Sequence, residues 1–445
     1  LETSRRSDVN YRKQWARSDA FDWGVNNSSF EGSWGNIDQH DRKLGYRLVA
    51  DRDVFDLGAT EHTLQFGAGV QRREANYKRL NDQYNYQDPM PTTSCTLADG
   101  SIDTDACSLS PVWRTVTRGV IAGQGQYMQT LMLYGAGEFD VSGTEYEAWV
   151  QDDIRFGNWS IRPGLRLDRS SIWTKTSVSS RLAASWDVLG DQRTVINAGA
   201  NRYYGRNFFT YLLREGRESL VVTKERTSSS QSWDDIEGTR STTSNRISDV
   251  DLPYTDEWTL GIDQRWAGLQ FNLKYVDRET RRDVLRRRIT DPLDTSIYNR
   301  NGTYEYLNTG RSSAQVWTLA VAQQQPLEVW GTRNSWQFSA DYTDVQRNYN
   351  SYEDTIDGTQ LVIYEGRVMP RYDLPATDYL RPWSARLSTR TEIPALGLSW
   401  SNFLRIRAGF EGTQNNGSQV IDGTAYPSLS RITYPSGWTW DATLE

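Results

Sequence analysis

The stretch DRETRRDVLRRR, residues 277–288, carries Arg278, Arg281, Arg282, Arg286, Arg287 and Arg288. Guanidinium groups offer fixed forks of N–H donors to oxyanions, so such a cluster can gather an anionic ligand, for example a ferric chelate or a phosphorylated sugar. The same charges serve equally well to meet lipopolysaccharide phosphates outside a membrane or to keep a water-filled wall solvated. A second candidate is NRYYGRNFFTYLLREGRE, residues 201–218, with Tyr203, Tyr204, Arg206, Phe208, Phe209 and Tyr211. Their rings can stack on a ligand; the alternative is an interfacial girdle followed by a loop packed on itself. The segments DGSIDTD (99–105) and EDTIDG (353–358) space carboxylates as calcium sites do, but without the full spacing of a calcium loop, so no metal is assigned. The two histidines, His40 and His62, stand without a nearby Ser or Cys motif, and no glycine-rich phosphate loop follows a strand. No catalytic residue and no cofactor is therefore expected, and the chain does not read as an enzyme. Cys95 and Cys107 lie in a polar segment; the expectation is a disulfide closing a surface loop in an oxidising compartment, with two free thiols as the alternative.

The elements that must position these residues are read from YEAWVQDDIRFGNWSIRPGLRLDRSS, residues 146–171. Tyr146, Ala148, Val150, Ile154 and Phe156 share one parity, and Glu147, Trp149, Gln151, Asp153 and Arg155 the other. After Gly157-Asn158, Trp159, Ile161, Leu165 and Leu167 fall opposite Ser160, Arg162, Arg166 and Asp168. A period of two gives each strand one greasy and one wet face. Pro163 forfeits a ladder hydrogen bond, so a bulge or bend is expected there. The same alternation recurs along the chain, in about a dozen to fourteen strands of about ten residues, the length a tilted strand needs to cross a bilayer.

Composition agrees with a hollow sheet. Among 445 residues only 37% are hydrophobic and Met occurs 4 times, yet there are 18 Trp and 24 Tyr. The formal net charge of −7 disfavours a nucleic-acid partner. No run approaches the roughly 18 apolar residues of a membrane helix.

Short turns at 157–158, 190–193, 267–268, 327–333 and 393–396 alternate with long polar stretches at 205–253, 280–312, 343–378 and 411–436. Tight turns at one end and large loops at the other are the pattern of an outer-membrane barrel. Trp159, Trp186, Trp266, Trp336 and Trp400 all sit near short turns with apolar parity, as an interfacial aromatic girdle requires. The greasy face should meet lipid and the wet face a water-filled or plugged lumen, with Ile161, Leu165, Leu260, Ile262, Phe271, Leu273, Leu404 and Ile406 pointing outward. Trp438, Trp440, Ala442 and Leu444 begin another alternating strand, so residues 1–445 are expected to be an internal portion of a longer barrel chain, without its final strands.

EYEAWVQDDIRFGNWSIRPGLRLDRSS, the following SSRLAASWDVLGDQRTVINAGANRYYGRN, and LPYTDEWTLGIDQRWAGLQFNLKYVDRETRRDV resemble the barrel of TonB-dependent outer-membrane receptors. The likeness is close over residues 140–290 and topological elsewhere. It implies an all-β, transmembrane, antiparallel up-and-down β-barrel of about 22 strands with long extracellular loops and short periplasmic turns. It also implies a plug domain and a TonB box outside this chain, and integral residence in the bacterial outer membrane. The function implied is uptake of a bulky, scarce nutrient of the siderophore, cofactor or oligosaccharide class, with TonB-coupled energy. The partners implied are the TonB complex, acting through the plug, the lipid bilayer with its lipopolysaccharide, and the ligand. From the physics of the strands alone, a passive porin or an envelope-assembly barrel remains open.

Overall fold

The computed structural model describes residues 2–24, 27–115, 119–173, 175–205, 209–244, 246–289, 303–349, 355–357, 361–371, 374, 381–421 and 424–445, with backbone only at 2, 242–243, 288–289, 355–357, 418 and 424–425. The main sheet is a meander. Its long strands are Ile37–Asp51, Thr60–Arg79, Gly137–Phe156, Trp159–Ser170, Thr176–Asp187, Thr194–Tyr204 and Tyr254–Trp266. They continue as Leu269–Ile289, Thr303–Gln323, Thr332–Arg347, Trp383–Ile393, Leu398–Arg407 and Gly437–Leu444. Each pairs antiparallel with the next in chain order. The turns at 157–158 and 267–268 close as expected, with Gly157, Ala267 and Gly268 in the left-handed region that tight hairpins demand. The turn at 393–396 is a short 3₁₀ segment, Pro394–Leu396, ended by Gly397 at φ 67°.

Several strands are longer than about ten residues. Leu269–Ile289 and Thr303–Gln323 each run 21 residues, so much of the polar stretch 280–312 is strand rather than loop. The polar stretch 411–436 likewise contains a hairpin, Phe410–Ile421 with Thr424–Tyr434. Beyond the bilayer both faces of a strand meet water, so alternation fades while pairing continues. Pro163 departs from expectation too. The register is unbroken on both sides, and the only mark of the proline is a gap in pairing to strand 137–156 between Gln151↔Gly164 and Ile154↔Ile161.

Register turns parity into rows. Ile262 lies beside Ile196 and Leu273; Leu273 lies beside Leu319, then Ala340, Ala385, Ile406 and Trp438. Leu165, Leu260, Ile262, Leu273 and Ile406 are exposed, as are Trp258, Trp317, Tyr342 and Trp383. Ile161, Phe271 and Leu404 fall on the same face by register. A continuous apolar band on the outside of a large antiparallel sheet is stable only against acyl chains. At the short-turn end Trp159 and Trp186 are register partners whose rings stack at 5.0 Å. Such a pair adds about 0.5–1.5 kcal/mol beyond area burial.

At the long-loop end a smaller sheet assembles from Val221–Glu225, Gly125–Tyr134, Gln83–Thr92, Tyr11–Ala16 and Ser28–Gly32. Its interior is partly polar: Gln83, Asn85, Gln126 and Thr130 are buried. Gln126 Oε1 accepts from the Ala16 amide at 2.8 Å and its Nε2 donates to the Ala16 carbonyl at 2.9 Å, closing an amide pair between two strands. Such pairing is what lets an amide side chain be buried without loss. The helix Phe209–Ser219 lies against strand 137–156, where Gly216 meets Phe139 so closely that a Cβ would stand 2.3 Å from the ring.

Candidate functional site

The lumen face is the parity opposite the apolar band. On it Arg166 hydrogen-bonds Glu147 and lies 3.0 Å from Asp168, while Arg47 stands 3.8 Å from Glu147. The Arg47 guanidinium also covers the Trp149 ring at 4.3 Å. That indole lies over Gly67, where a Cβ would come within 2.2 Å of Cζ2, so the glycine is what admits the ring. A cavity of about 440 Å³ opens here, lined among others by Arg47, Glu147, Arg166, Asp168, Trp173 and Lys175. Its charges are largely matched within the wall, which suits a solvated polar surface rather than a bare electrostatic trap.

The arginines of 277–288 are dispersed. Arg278 faces the lumen side, with Nε 2.5 Å from Oε2 of the buried Glu257. Arg281 is 2.6 Å from Glu279 on the outward parity, above the apolar band. Between Thr280 and Asp283 the register shifts, and Arg282 takes φ 57°, its guanidinium 3.5 Å from Asp251. Arg286 is buried, 2.6 Å from Glu218 of the helix and 3.7 Å from the centre of the Tyr304 ring. Arg287 pairs with Glu305, and the side chain of Arg288 lies outside the described residues. The strand alternation and the bulge thus send neighbouring cations to different surfaces, each to its own carboxylate.

The aromatics of 203–211 also part. Tyr203 donates to Glu257 at 3.3 Å beneath Arg181, and Tyr204 tilts against Tyr254 on the outward side. Phe209 is buried under Arg73. Tyr211 meets Tyr306 edge-on and donates to the Val284 carbonyl at 3.3 Å. Arg206 and Phe208 lie outside the described residues. Tyr211 belongs to a loop core of Trp173, Ile247, Val250, Val284 and Tyr306, which joins loops to the upper ends of the barrel strands. Lys175 adds a tie to Asp251 at 2.6 Å and holds that carboxyl below the usual carboxylate range. Glu215, on the helix, is pushed the other way: burial raises its carboxyl, with a Tyr306 hydrogen bond opposing.

The outer sheet is held by two ties. Cys95 and Cys107 are bonded, with Cα atoms 5.6 Å apart, as expected. Sequence reasoning missed the second. Arg226 is fully buried, donating from Nη1 to Asp103 at 2.8 Å, from Nε to the Met128 carbonyl at 2.7 Å and from Nη2 to the Ala106 carbonyl at 2.9 Å. Trp233 and Tyr127 flank its plane. Asp103 also accepts from the Asp105 and Ala106 amides, and Asp99 from Ser101. These carboxylates of 99–105 act as turn and ion-pair acceptors, and no metal-holding group of carboxylates, His or Cys occurs among the described residues. Of the segment 353–358 only the backbone of 355–357 is described, as a short strand. Burial, with Asp105 and Asp103 nearby, pushes the Tyr86 hydroxyl up to about 12.

His62 does have neighbours the sequence did not reveal: Nδ1 is 2.7 Å from Asp152 and Nε2 is 2.7 Å from Thr60 Oγ1. This resembles a hydrolytic triad in outline. The Thr60 hydroxyl, however, donates to the Leu57 carbonyl at 2.7 Å, and Phe55 stacks on the imidazole at 5.3 Å. The arrangement fastens the hairpin at the short-turn end and leaves no free nucleophile there.

No protein-family model matches the chain. Over 422 residues it is 24% identical to YddB, an uncharacterized protein of Escherichia coli K12, covering 93% of this chain and 47% of that protein. It is 25% identical over 157 residues to transferrin-binding protein A of Neisseria meningitidis serogroup B, covering 32% of this chain and 17% of that protein. The crystal structure of the outer membrane transporter YddB from Escherichia coli superposes with TM-score 0.72 at 22% identity, over 100% of this chain and 52% of that one. The siderophore receptor PirA from Acinetobacter baumannii gives TM-score 0.54 at 12% identity, over 100% of this chain and 52% of that one. The chain therefore spans about half the length of YddB. It has the outer-membrane β-barrel fold that the receptor-like motifs of residues 140–290 implied.

Proposed function

We propose that the intact protein is an outer-membrane receptor-transporter that takes up a bulky, scarce nutrient of the siderophore, cofactor or oligosaccharide class with TonB-coupled energy. One observation carries the reading: loops pack into a core, Trp173 with Ile247, Val250, Val284 and Tyr306, at the upper ends of the barrel strands. Loops so ordered favour a receptor mouth over an open pore. The width adds to it, because a barrel with this many strands leaves an aqueous channel unless something fills it. A plug closes such a channel, and clearing it requires energy from the TonB complex. The solved structure of PirA is that of a siderophore receptor, in keeping with a nutrient of that class. The lumen face around Arg47, Glu147, Arg166 and Asp168 is the part of this chain that a passing solute would meet. Outside the band, the paired charges at Arg281 and Glu279 lie beyond the apolar rows on the outward face, where lipopolysaccharide phosphates would be met.

The test is uptake of a labelled siderophore panel by cells with and without a working TonB complex. Uptake lost without TonB is expected. Equal uptake in both, or large open-pore conductance from the full-length protein, would establish a passive porin or assembly barrel instead.

A further inference from the structure

Most cations of the lumen wall have carboxylates at hand: Arg166 has Glu147 and Asp168, Arg162 has Asp153, and Arg278 has Glu257. One strip departs from this. Ala385 and Leu387 belong to the apolar band, as do Leu404 and Ile406 across from them. Arg386, Arg405 and Arg407 therefore share the lumen face. Arg386 is the direct register partner of Arg405, and Arg407 that of Ser384. The direct lumen-side register partners are neutral, Ser339 beside Arg386 and Thr439 beside Arg405, and the next carboxylate on that side, Asp441, stands opposite Phe403. Asp341, 3.1 Å from Arg386, is the single carboxylate paired with these three among the described residues. Arg405 and Arg407 have no ion pair there, and the Nε atoms of all three are shielded from solvent without an acceptor. Same-parity arginines this close, sharing one carboxylate, concentrate a positive field that the isolated lumen-side cations Arg181 and Lys274 do not, and their forked donors match oxyanion geometry.

We infer that Arg386, Arg405 and Arg407 form an anion-binding strip on the lumen wall, taking a compact solute that carries clustered phosphate or carboxylate oxygens. This rests on the transport reading only for the solute's route and gives its substrate class: anionic. Arg405 and Arg407 lie at the upper end of strand 398–407, so the strip is met from the long-loop side. Carboxylates elsewhere in the full-length protein are the competing occupants, and the test separates them.

The measurement is arginine modification by phenylglyoxal in the full-length protein in outer-membrane vesicles, read residue by residue by mass spectrometry. Inorganic pyrophosphate and citrate are added in separate arms, with sodium chloride at matched ionic strength as the control. Arg405 and Arg407 should react in the control. At about ten times the dissociation constant of the anion, their modification should slow about tenfold, the fall in free sites that simple binding gives. The ion-paired Arg281 should be indifferent. In the double variant Arg405→Gln, Arg407→Gln, protection of Arg386 should disappear while the barrel strands keep their protease resistance. Slow modification in every arm would mean that internal carboxylates already occupy the strip, and rapid modification in every arm would mean no anion site; either overturns the inference. Neither result depends on TonB or on uptake, so the transport reading stands or falls separately.

Discussion

Asp103 and Arg226 stand 123 positions apart in sequence, yet their side chains meet at 2.8 Å in almost complete seclusion from solvent. A buried guanidinium with one carboxylate, three backbone carbonyls and two aromatic flanks is a stable arrangement only while all its partners remain.

Removing one partner should therefore free the outer sheet locally. Asp103→Asn or Arg226→Met is expected to cost about 3–5 kcal/mol in the stability of that unit, the usual penalty for orphaning a buried charge. Hydrogen exchange of strands 221–225 and 125–134 should rise while the barrel strands keep their protection. Unchanged exchange in the outer sheet would contradict the assignment.

Leu260 sits in the apolar band between Ala198 and Tyr275. Leu260→Arg should destabilise the folded barrel by about 2–4 kcal/mol if it lies near the bilayer midplane. Thr318→Arg, on the opposite parity of its strand, should cost far less. Equilibrium folding into lipid vesicles measures both, and equal costs would contradict the lipid-facing assignment.

Glu215 gives a pH dependence. Burial raises its carboxyl above the ordinary glutamate value, so the folded state holds the proton more tightly than the unfolded one. Its contribution to helix docking is fully present below the unfolded value of about 4.3. That contribution is lost as pH rises through the raised folded value. Fluorescence of the nearby loop core, read at Trp173, should report loosening across that window, and Glu215→Gln should abolish the change. An identical profile in the variant would assign the titration to another group.

The barrel was legible because a bilayer enforces what the sequence displays: Trp258, Leu260 and Ile262 alternate since lipid touches every second side chain. The same logic fails above the membrane. In strand 269–289 the residues after 280 carry charge on both parities, so the eye sees a loop where pairing continues to Ile289. The outer sheet was illegible for a related reason, since its interior uses Gln83, Asn85 and Gln126 rather than aliphatic residues. For the candidate site, clustering in sequence misled. Arg278, Arg281 and Arg286 diverge to Glu257, Glu279 and Glu218, partners fixed by register and loop packing rather than by proximity along the chain. The strip of Arg386, Arg405 and Arg407 was readable in principle, as same-parity arginines on two consecutive strands. The two strands' register was needed to bring them side by side.

The composition of the outer sheet also sets an order of assembly. The Cys95–Cys107 bridge closes a separation of only 12 residues and can be made as soon as that stretch meets an oxidant. Strand 221–225 takes its place beside 125–134 only after the intervening chain has doubled back through four barrel strands, 137–156, 159–170, 176–187 and 194–204. Closing so long a loop is entropically late, so local contacts precede it. Arg226 therefore reaches Asp103 across a far longer loop than the one the Cys95–Cys107 bridge spans, so the two ties on the outer sheet differ in the chain entropy each must overcome to close.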